Sequence, residues 1–274
     1  MSDPSGPADM RPKSPLPPRA RRAEILGTLQ RESSATTGYL AEAMGVSAVT
    51  IHRDLEALAR EGRVVRMQGG AALPEREGSA SQFTTNWQAR VSRNAPAKDR
   101  IGSAARNLLE PGTTIFIDGS TTSLALAKAI NAKPEVLTVV TDSPEVALAI
   151  QAREVSIILA PGNFDQDLRI ATGRWTEQFL RELNYSAAFV SCAGADLDFG
   201  VTTTSPGVGE VMNAVFKQAR SKYLLIDHSK FGSTALLRLA GLPDFDGVIT
   251  DRMSKNLRQS YLDAGVKLTV ARSG

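Results

Sequence analysis

Thr37-Gly-Tyr-Leu-Ala-Glu-Ala-Met-Gly-Val-Ser-Ala-Val-Thr-Ile-His-Arg-Asp-Leu55, followed by Glu61-Gly-Arg-Val-Val-Arg-Met-Gln-Gly-Gly-Ala71, decides the fold at the N-terminal end of this chain. The order reads as helix, tight turn, helix, short basic hairpin. Gly45 supplies the backbone freedom of a sharp inter-helix turn. The Ser47 hydroxyl is placed to cap the second helix by accepting from an orphan N–H of its first turn. Ile51, Leu55 and Leu58 recur at helical spacing and define a buried stripe. The same geometry turns Val49, His52, Arg53, Glu56 and Arg60 outward, with Thr50 flanking that face near its N-terminal end. A first helix is expected over residues 19–31, with Ile25, Leu26 and Leu29 on one side. After the second helix of the pair, Arg63 to Met67 is a β-branched, basic run that leads to Gly69-Gly70. Together these form a winged helix-turn-helix, a device that lays one helix in the DNA major groove. The expected DNA contacts are Ser47, Val49, Thr50, His52 and Arg53 from the helix. Arg66 is expected on the wing, beside a phosphate or a minor groove.

The chain has 274 residues, enough for one small and one medium domain, and its apolar fraction of 42% supports real cores. A formal charge of +3 permits nucleic-acid binding without arguing for it, so the DNA reading rests on where the arginines stand. The single cysteine, Cys192, excludes an internal disulfide and points to a reduced, cytoplasmic setting. It ends an apolar run, as a buried structural thiol does. Two histidines, His52 and His228, with one cysteine make no metal site, and no cofactor is expected. No apolar run reaches membrane-spanning length and no signal-peptide pattern is present. Residues 1–18, rich in Pro and Ser, read as a disordered tail. The winged module is assigned to residues 19–72. Residues 73–97, polar and carrying Pro74, Gly78 and Pro96, read as a linker with a short helix around Trp87 to Val91.

From Lys98 onward short β-branched runs alternate with helical patterns. The runs fall at 113–117, 136–140, 155–159, 187–191, 223–226, 248–250 and 267–270. The helical stretches fall at 123–130, 144–153, 175–183, 208–220 and 256–264. This alternation predicts an α/β domain over residues 98–274, built on a mostly parallel sheet with helices on both faces. Ligands of such sheets sit at the carboxyl ends of the strands. The first run is followed by Asp118-Gly119-Ser120-Thr121-Thr122 and a helix, a placement that offers backbone N–H groups to a phosphate. The next strand ends lead into Thr141-Asp142-Ser143, Cys192-Ala193-Gly194-Ala195-Asp196 and Asp227-His228-Ser229-Lys230-Phe231. Amides and Lys230 suit a phosphate, and the carboxylates suit sugar hydroxyls. The expected effector site is therefore Asp118, Gly119, Ser120, Thr121, Thr122, Thr141, Asp142, Asp196 and Lys230.

The N-terminal segment resembles the DNA-binding domain of the DeoR family of bacterial transcriptional regulators. The resemblance rests on Leu40-Ala41-Glu42, Val46-Ser47, Thr50-Ile51, Arg53-Asp54-Leu55, Leu58, Gly62, Arg66 and Gly69-Gly70-Ala71. It continues through Lys98 to Gly102, Asp118 to Thr122, Thr141-Asp142 and Ser229-Lys230-Phe231, which are similar to the family's sugar-phosphate-responsive domain. That domain is related in fold to ribose-phosphate and glucosamine-phosphate isomerases. Four departures stand out. His52 replaces the first of two arginines, and Asp142 an asparagine. Ala160-Pro161-Gly162 stands in place of a Gly-Gly, and Met212 in place of a lysine.

The resemblance implies a repressor of a carbohydrate-metabolism operon, relieved when a phosphorylated sugar binds, and not an enzyme. Double-stranded operator DNA and a sugar phosphate are the expected partners, with a homodimer or homotetramer as the working assembly. The expected place is the bacterial cytoplasm, on the nucleoid when bound to DNA. The alternative is a sugar-phosphate isomerase with a DNA-binding appendage, in which Asp196 is the base. The related isomerases carry Asp-Gly-Ala-Asp-Glu there, whereas this chain reads Ala193-Gly194-Ala195-Asp196-Leu197 and lacks two of the three carboxylates.

Overall fold

A computed structural model describes residues 17–32, 34–61, 63–67, 69–72 and 87–271. The expected tail up to residue 16, the first part of the expected linker (73–86) and Gly62 lie outside the described residues. Contacts divide the chain into two compact units, Met1–Pro74 and Glu75–Gly274.

The first unit contains α1 (Pro18–Glu32), β1 (Ser34–Thr36), α2 (Thr37–Met44), α3 (Ala48–Arg60), β2 (Val65–Met67) and β3 (Gly70–Ala72). Ile25, Leu26 and Leu29 from α1 meet Leu40, Ile51, Leu55 and Leu58 in one core. The wing is a three-stranded antiparallel sheet in the order β1-β3-β2, so the expected hairpin gains a third strand from Ser34-Ala35-Thr36. Three polar or small residues give no alternation to read, which is why β1 is silent in the sequence.

In the second unit the chain runs through α4 (Trp87–Ser92), α5 (Ala95–Arg106), β4 (Thr113–Ile117), α6 (Ser123–Ile130), β5 (Leu137–Thr141), α7 (Pro144–Ala149) and β6 (Val155–Leu159). A hairpin follows, β7 (Asn163–Asp165) and β8 (Ile170–Thr172), and then α8 (Arg174–Arg181), β9 (Tyr185–Val190), β10 (Gly194–Asp196) and β11 (Gly200–Thr203). The last stretch holds α9 (Pro206–Gln218), β12 (Ala219–Leu225), β13 (Leu237–Ala240), β14 (Gly247–Thr250), α10 (Lys255–Asp263) and β15 (Leu268–Val270).

Seven strands form one sheet in the order β15-β14-β12-β9-β4-β5-β6, and every pair in it is parallel. They are the seven β-branched runs of the sequence. Alternate residues feed two cores. Phe116, Val140, Ala188, Val190, Leu224 and Val248 pack on one face, and Ile115, Ile117, Val139, Phe189, Leu225 and Ile249 on the other. Apolarity on both faces is what a parallel sheet between helical layers requires.

Local departures have local causes. The helix expected over 144–153 stops at Ala149 because Asn131 captures its end. The Asn131 Oδ1 accepts from the N–H groups of Gln151 (2.8 Å) and Ala152 (3.2 Å), and its Nδ2 donates to the Ala149 carbonyl (2.8 Å). Strand β12 begins four residues before its expected start at Tyr223, and its polar first half pairs with β9 alone. The expected linker is helical from Trp87 onward, because Trp87 is buried against Ile101 and its neighbours in the second core.

Candidate functional site

The helix pair of the first unit is built as its residue types dictate. Gly45 ends α2 at φ 64°, a left-handed conformation that costs glycine little, and its N–H reaches back to the carbonyls of Ala41 and Glu42. Ser47 Oγ accepts from Thr50 N (3.2 Å) and caps α3. Val49 stands 62% exposed, His52 and Arg53 are exposed beside it, and Thr50 is half-buried. Ser47 thus serves first as a cap. Arg66 Nη1 donates to the His52 carbonyl (3.3 Å), which braces the wing against α3. His52 Nδ1 lies 3.3 Å from Glu56 Oε1.

Inside this unit is a residue whose role the sequence pattern hides. Asp54, on the same helix as the exposed Arg53, is buried and holds Arg21 Nε at 2.5 Å and Arg22 Nε at 3.0 Å. The pair of arginines fixes α1 across α3. In the sequence Asp54 is one member of an Arg-Asp-Leu motif, and nothing there says that the carboxylate points inward.

The strand ends of the second unit bring most of the expected effector residues together. Asp118 follows β4, and its Oδ2 accepts from Ser191 N at the end of β9 (2.9 Å) while Oδ1 accepts from Ser120 N (3.2 Å). Lys230 reaches the same place from the loop after β12. Its Nζ donates to the Cys192 carbonyl (2.7 Å) and to Ser191 Oγ (3.4 Å). Gly119 must be glycine for space: a Cβ there would stand 2.1 Å from Ile170 Cγ2 and 2.9 Å from Ser143 Cβ. Ser120 Oγ accepts from Ser123 N (3.0 Å) and so steadies the start of α6. Thr141 Oγ1 accepts from Ser143 N (3.1 Å). Thr122 Oγ1 and Asp142 Oδ1 are buried with no hydrogen-bond partner, as is the Nη1 of Arg90. Buried polar atoms are nearly always paired in folded proteins. Three orphans in a region also lined by Asp118 and Lys230 therefore mark a place that something else completes.

Electrostatics sharpen this. Burial, and then the neighbouring Asp118 charge, push the Asp142 carboxyl well above the usual carboxylate range. Burial also opposes ionisation of Asp227, but Lys230, the Ser229 hydroxyl and His228 outweigh it and hold that carboxyl low. Asp227 Oδ1 accepts from Asn94 Nδ2 (3.1 Å) and Ser229 N (3.1 Å). His228 Nδ1 lies 3.1 Å from both Asp251 oxygens, and Arg252 Nη2 approaches its Nε2 at 2.7 Å. Cys192 is pushed up to about 12 by burial, the state of an unreactive thiol.

Asp196 does not join the group. Its Oδ1 accepts from Asp198 N and Phe199 N, both at 3.0 Å, and closes the turn between β10 and β11. The residues the sequence reading missed are Arg90 and Arg93, from α4 and the turn after it, and Lys98 on α5. A signal existed for Lys98: it lies on the same helical face as Ala97, Ile101 and Ala105, a buried stripe where lysine is out of place. Arg90 and Arg93 fell within the expected linker, where no periodicity sets a residue apart. No helix among the described residues is long and apolar enough to cross a membrane.

Similarity to known proteins agrees with both halves of this geometry. Residues 21–77 match the DeoR-like helix-turn-helix domain and residues 93–252 the DeoR C terminal sensor domain. The HTH-type transcriptional repressor GlcR of Bacillus subtilis is 31% identical over 252 residues, which cover 91% of this chain and 95% of that protein. The glycerol-3-phosphate regulon repressor of Escherichia coli is 30% identical, over 84% of this chain and 90% of its own length. Among solved structures, ribose 5-phosphate isomerase A from Methanocaldococcus jannaschii shares 15% identity at a TM-score of 0.38 over 50% of this chain and 55% of its own, too slight a likeness to carry a functional argument. The matches to both domains, and to relatives along nearly their whole length, place this chain in the DeoR family of transcriptional regulators.

Proposed function

We propose that this regulator represses a carbohydrate-metabolism operon and releases it when a phosphorylated sugar fills the strand-end site of the second unit. Val49, Thr50, His52 and Arg53 read base edges from α3, with Ser47 at its start, while Arg66 steadies the wing near the backbone. Asp118, Gly119, Ser120, Thr121, Thr122, Thr141, Asp142 and Lys230 surround the effector. Asp196 is left out, because its Oδ1 closes the turn between β10 and β11 and, among the described residues, no bond ties it to Ser191, Asp118 or Lys230. One observation carries the effector reading: Asp118 and Lys230 arrive from different strands and both bond to Ser191. A cation and a carboxylate so placed suit a ligand that has both a phosphate and hydroxyls. A role as repressor is also in keeping with the names of both relatives above, and a link to a phosphorylated polyol with the name of the second. A single winged module buries little surface on DNA, so a homodimer or homotetramer is the assembly we expect, in the bacterial cytoplasm and on the nucleoid. Isomerisation is the weaker reading, since Ala193-Gly194-Ala195-Asp196-Leu197 lacks two of the three carboxylates of the related isomerases.

A thermal-shift screen of phosphorylated sugars tests the effector. A ligand that binds only the native state raises its stability by mass action. Lys230→Met should lower affinity for the hit about ten- to hundredfold, the worth of a charge-assisted hydrogen bond, and the same hit should release operator DNA in a gel shift. A screen in which no phosphorylated sugar stabilises the protein would remove the effector reading.

A further inference from the structure

We propose that β6, the free edge of the seven-stranded sheet, is a subunit interface, where it pairs antiparallel with β6 of a second copy of this chain about a two-fold axis at Ile157. The inference rests on the expectation of a homodimer or homotetramer and adds to it the surface and the register.

The first observation is an unguarded edge. Among the described residues β6 pairs with β5 alone. The Ala160 N–H donates to the Thr141 carbonyl (2.8 Å). Main-chain groups alternate in direction along a strand, so those of Ser156, Ile158 and Ala160 face β5, and those of Ile157 and Leu159 face outward. A row of outward N–H and C=O groups is a template for another strand, and sheets that work alone blunt it with charge, proline or shortness. The opposite edge is blunted in this way: β15 has three residues and begins right after Lys267. The five residues of β6, Val-Ser-Ile-Ile-Leu, include no charge and no proline.

The second observation is where the apolar side chains lie. Val155 is buried in the core beneath α7. Ile157 and Leu159 alternate onto the same face, yet stand 37% and 46% exposed. In the proposed register Ile157 lies opposite its own copy and Leu159 opposite Val155 of the second copy. Each exposed apolar side chain then meets an apolar one across the axis, and the main-chain groups of the two Ile157 residues bond reciprocally.

The third is charge at the two ends. Arg153 and Glu154, both exposed, precede β6, and the hairpin beyond its other end carries the exposed Asp167 and Arg169. Antiparallel pairing brings the first end of each strand toward the second end of the other. Arg153 thus approaches a region that holds Asp167, and Glu154 one that holds Arg169. Pairing β6 with any different edge would repeat from copy to copy without closing, whereas the same edge on both copies closes after two.

Cross-linking of the full-length protein tests the register. Cys192→Ala removes the one native thiol, and Ile157→Cys is placed in that background. Directly opposed residues that exchange both main-chain bonds have Cα atoms about 5.5 Å apart, within the span of a disulfide. Mild oxidation with copper phenanthroline should therefore give a covalent dimer on a non-reducing gel. Ser156→Cys, next in sequence but not opposite itself, should cross-link far less. Sedimentation measures the interface. The parent should sediment as a dimer or tetramer. Ile157→Lys sets two ammonium groups against each other on the axis, and it should weaken self-association at least about tenfold, which corresponds to about 1.4 kcal/mol. Leu159→Lys should act in the same direction, and circular dichroism checks that both variants are folded. Equal cross-linking at the two cysteine positions would overturn the register. If Ile157→Cys does not cross-link and both lysine variants assemble as the parent does, the interface lies elsewhere and the oligomer reading stands without it. A parent that is monomeric at micromolar concentration removes both.

Discussion

Each unit of this chain buries an aspartate almost completely, Asp54 at 3% exposure and Asp142 at 2%, and the two residues behave as opposites. Asp54 is met by two arginines from α1. Asp142 meets the field of another carboxylate, Asp118, and leaves Oδ1 without a partner. The same residue type at the same depth is a clamp in the DNA-binding unit and an unfilled position in the sensor unit. A buried charge that is paired holds a fold together. A carboxyl that burial and a like charge keep from ionising is costly in its charged form, and Asp142 is of that kind.

The largest effect expected from this contrast is at Asp54. Asp54→Ala leaves the buried Arg21 without the carboxylate it faces, and breaking a buried pair from one side costs about 3–5 kcal/mol. Calorimetry of the full chain should show the first unit melting far earlier while the transition of the second is unmoved. An unchanged profile would reduce Asp54 to an ordinary surface carboxylate and dissolve the comparison.

Arg53, the neighbour of Asp54, sharpens it from the other side. It is exposed, so Arg53→Ala should leave both melting transitions alone. It should weaken operator binding by about 1–3 kcal/mol if the guanidinium reaches a base edge. Gel-shift titrations against operator and random DNA at several salt concentrations separate base readout from phosphate contact. Arg66→Ala is expected to weaken both DNAs alike, and because Arg66 also braces the wing against His52, it should lower the stability of the first unit slightly.

How much of this was legible depended on whether a residue's neighbours in sequence are its neighbours in space. The seven parallel strands could be read because each carries a β-branched or apolar run set off by helical patterns, and the central ones are buried on both faces. The strand-end loops could be read because the topology itself says where a ligand sits. The hairpin of β7 and β8 and the small sheet of β10, β11 and β13 could not, since strands of three or four residues carry too few alternations. Asp196 shows the same limit: that its Oδ1 closes the turn between β10 and β11 is visible only once the partner N–H groups are seen. The inward turn of Asp54 and the ties of Asn94 to Asp227 and Ser229 depend on contacts between distant elements. Lys98 was the exception, a lysine on an apolar helical stripe.

Lys98 also makes the sensor unit's unpaired charges testable by pH. Its pKa is lowered to about 8, chiefly by burial and then by Lys230. A cation whose pKa falls on folding is costly while protonated, and that cost disappears as pH rises through the folded value. A bound anion reverses the balance and favours the protonated amine. Phosphomonoester affinity should therefore hold steady between the second ionisation of the phosphate, at about pH 6, and about pH 8, and fall above that, with net proton uptake on binding. Calorimetry in buffers of different ionisation enthalpy measures that uptake. Affinity that is flat from neutral pH to well above the Lys98 value would separate Lys98 from effector binding.

The smallest effect is expected at Asp142, and it runs opposite in sign to Asp54. Asp142→Asn removes an ionisable group that burial and Asp118 penalise by more than the backbone amides of Gly119 and of Asp142 itself offset, so the ligand-free protein should gain stability, on the order of 1 kcal/mol as for relief of one unfavourable buried polar group. The gain must depend on pH. A carboxyl whose pKa is raised on folding takes up a proton as the chain folds. Its penalty is absent below the ordinary carboxylate range, near about pH 4, and grows as pH climbs toward the elevated folded value. Melts of parent and variant should thus coincide in acid and separate toward neutrality. Effector binding then decides what the penalty is for. If Asp142 accepts from a sugar hydroxyl, the more stable variant binds its ligand less tightly, and stability and affinity move in opposite directions. If Asp142 only repels the phosphate, the variant gains in both. A variant that loses stability, at any pH, would mean that Asp142 is held by a partner in the ligand-free protein, and the contrast with Asp54 would fail at its foundation.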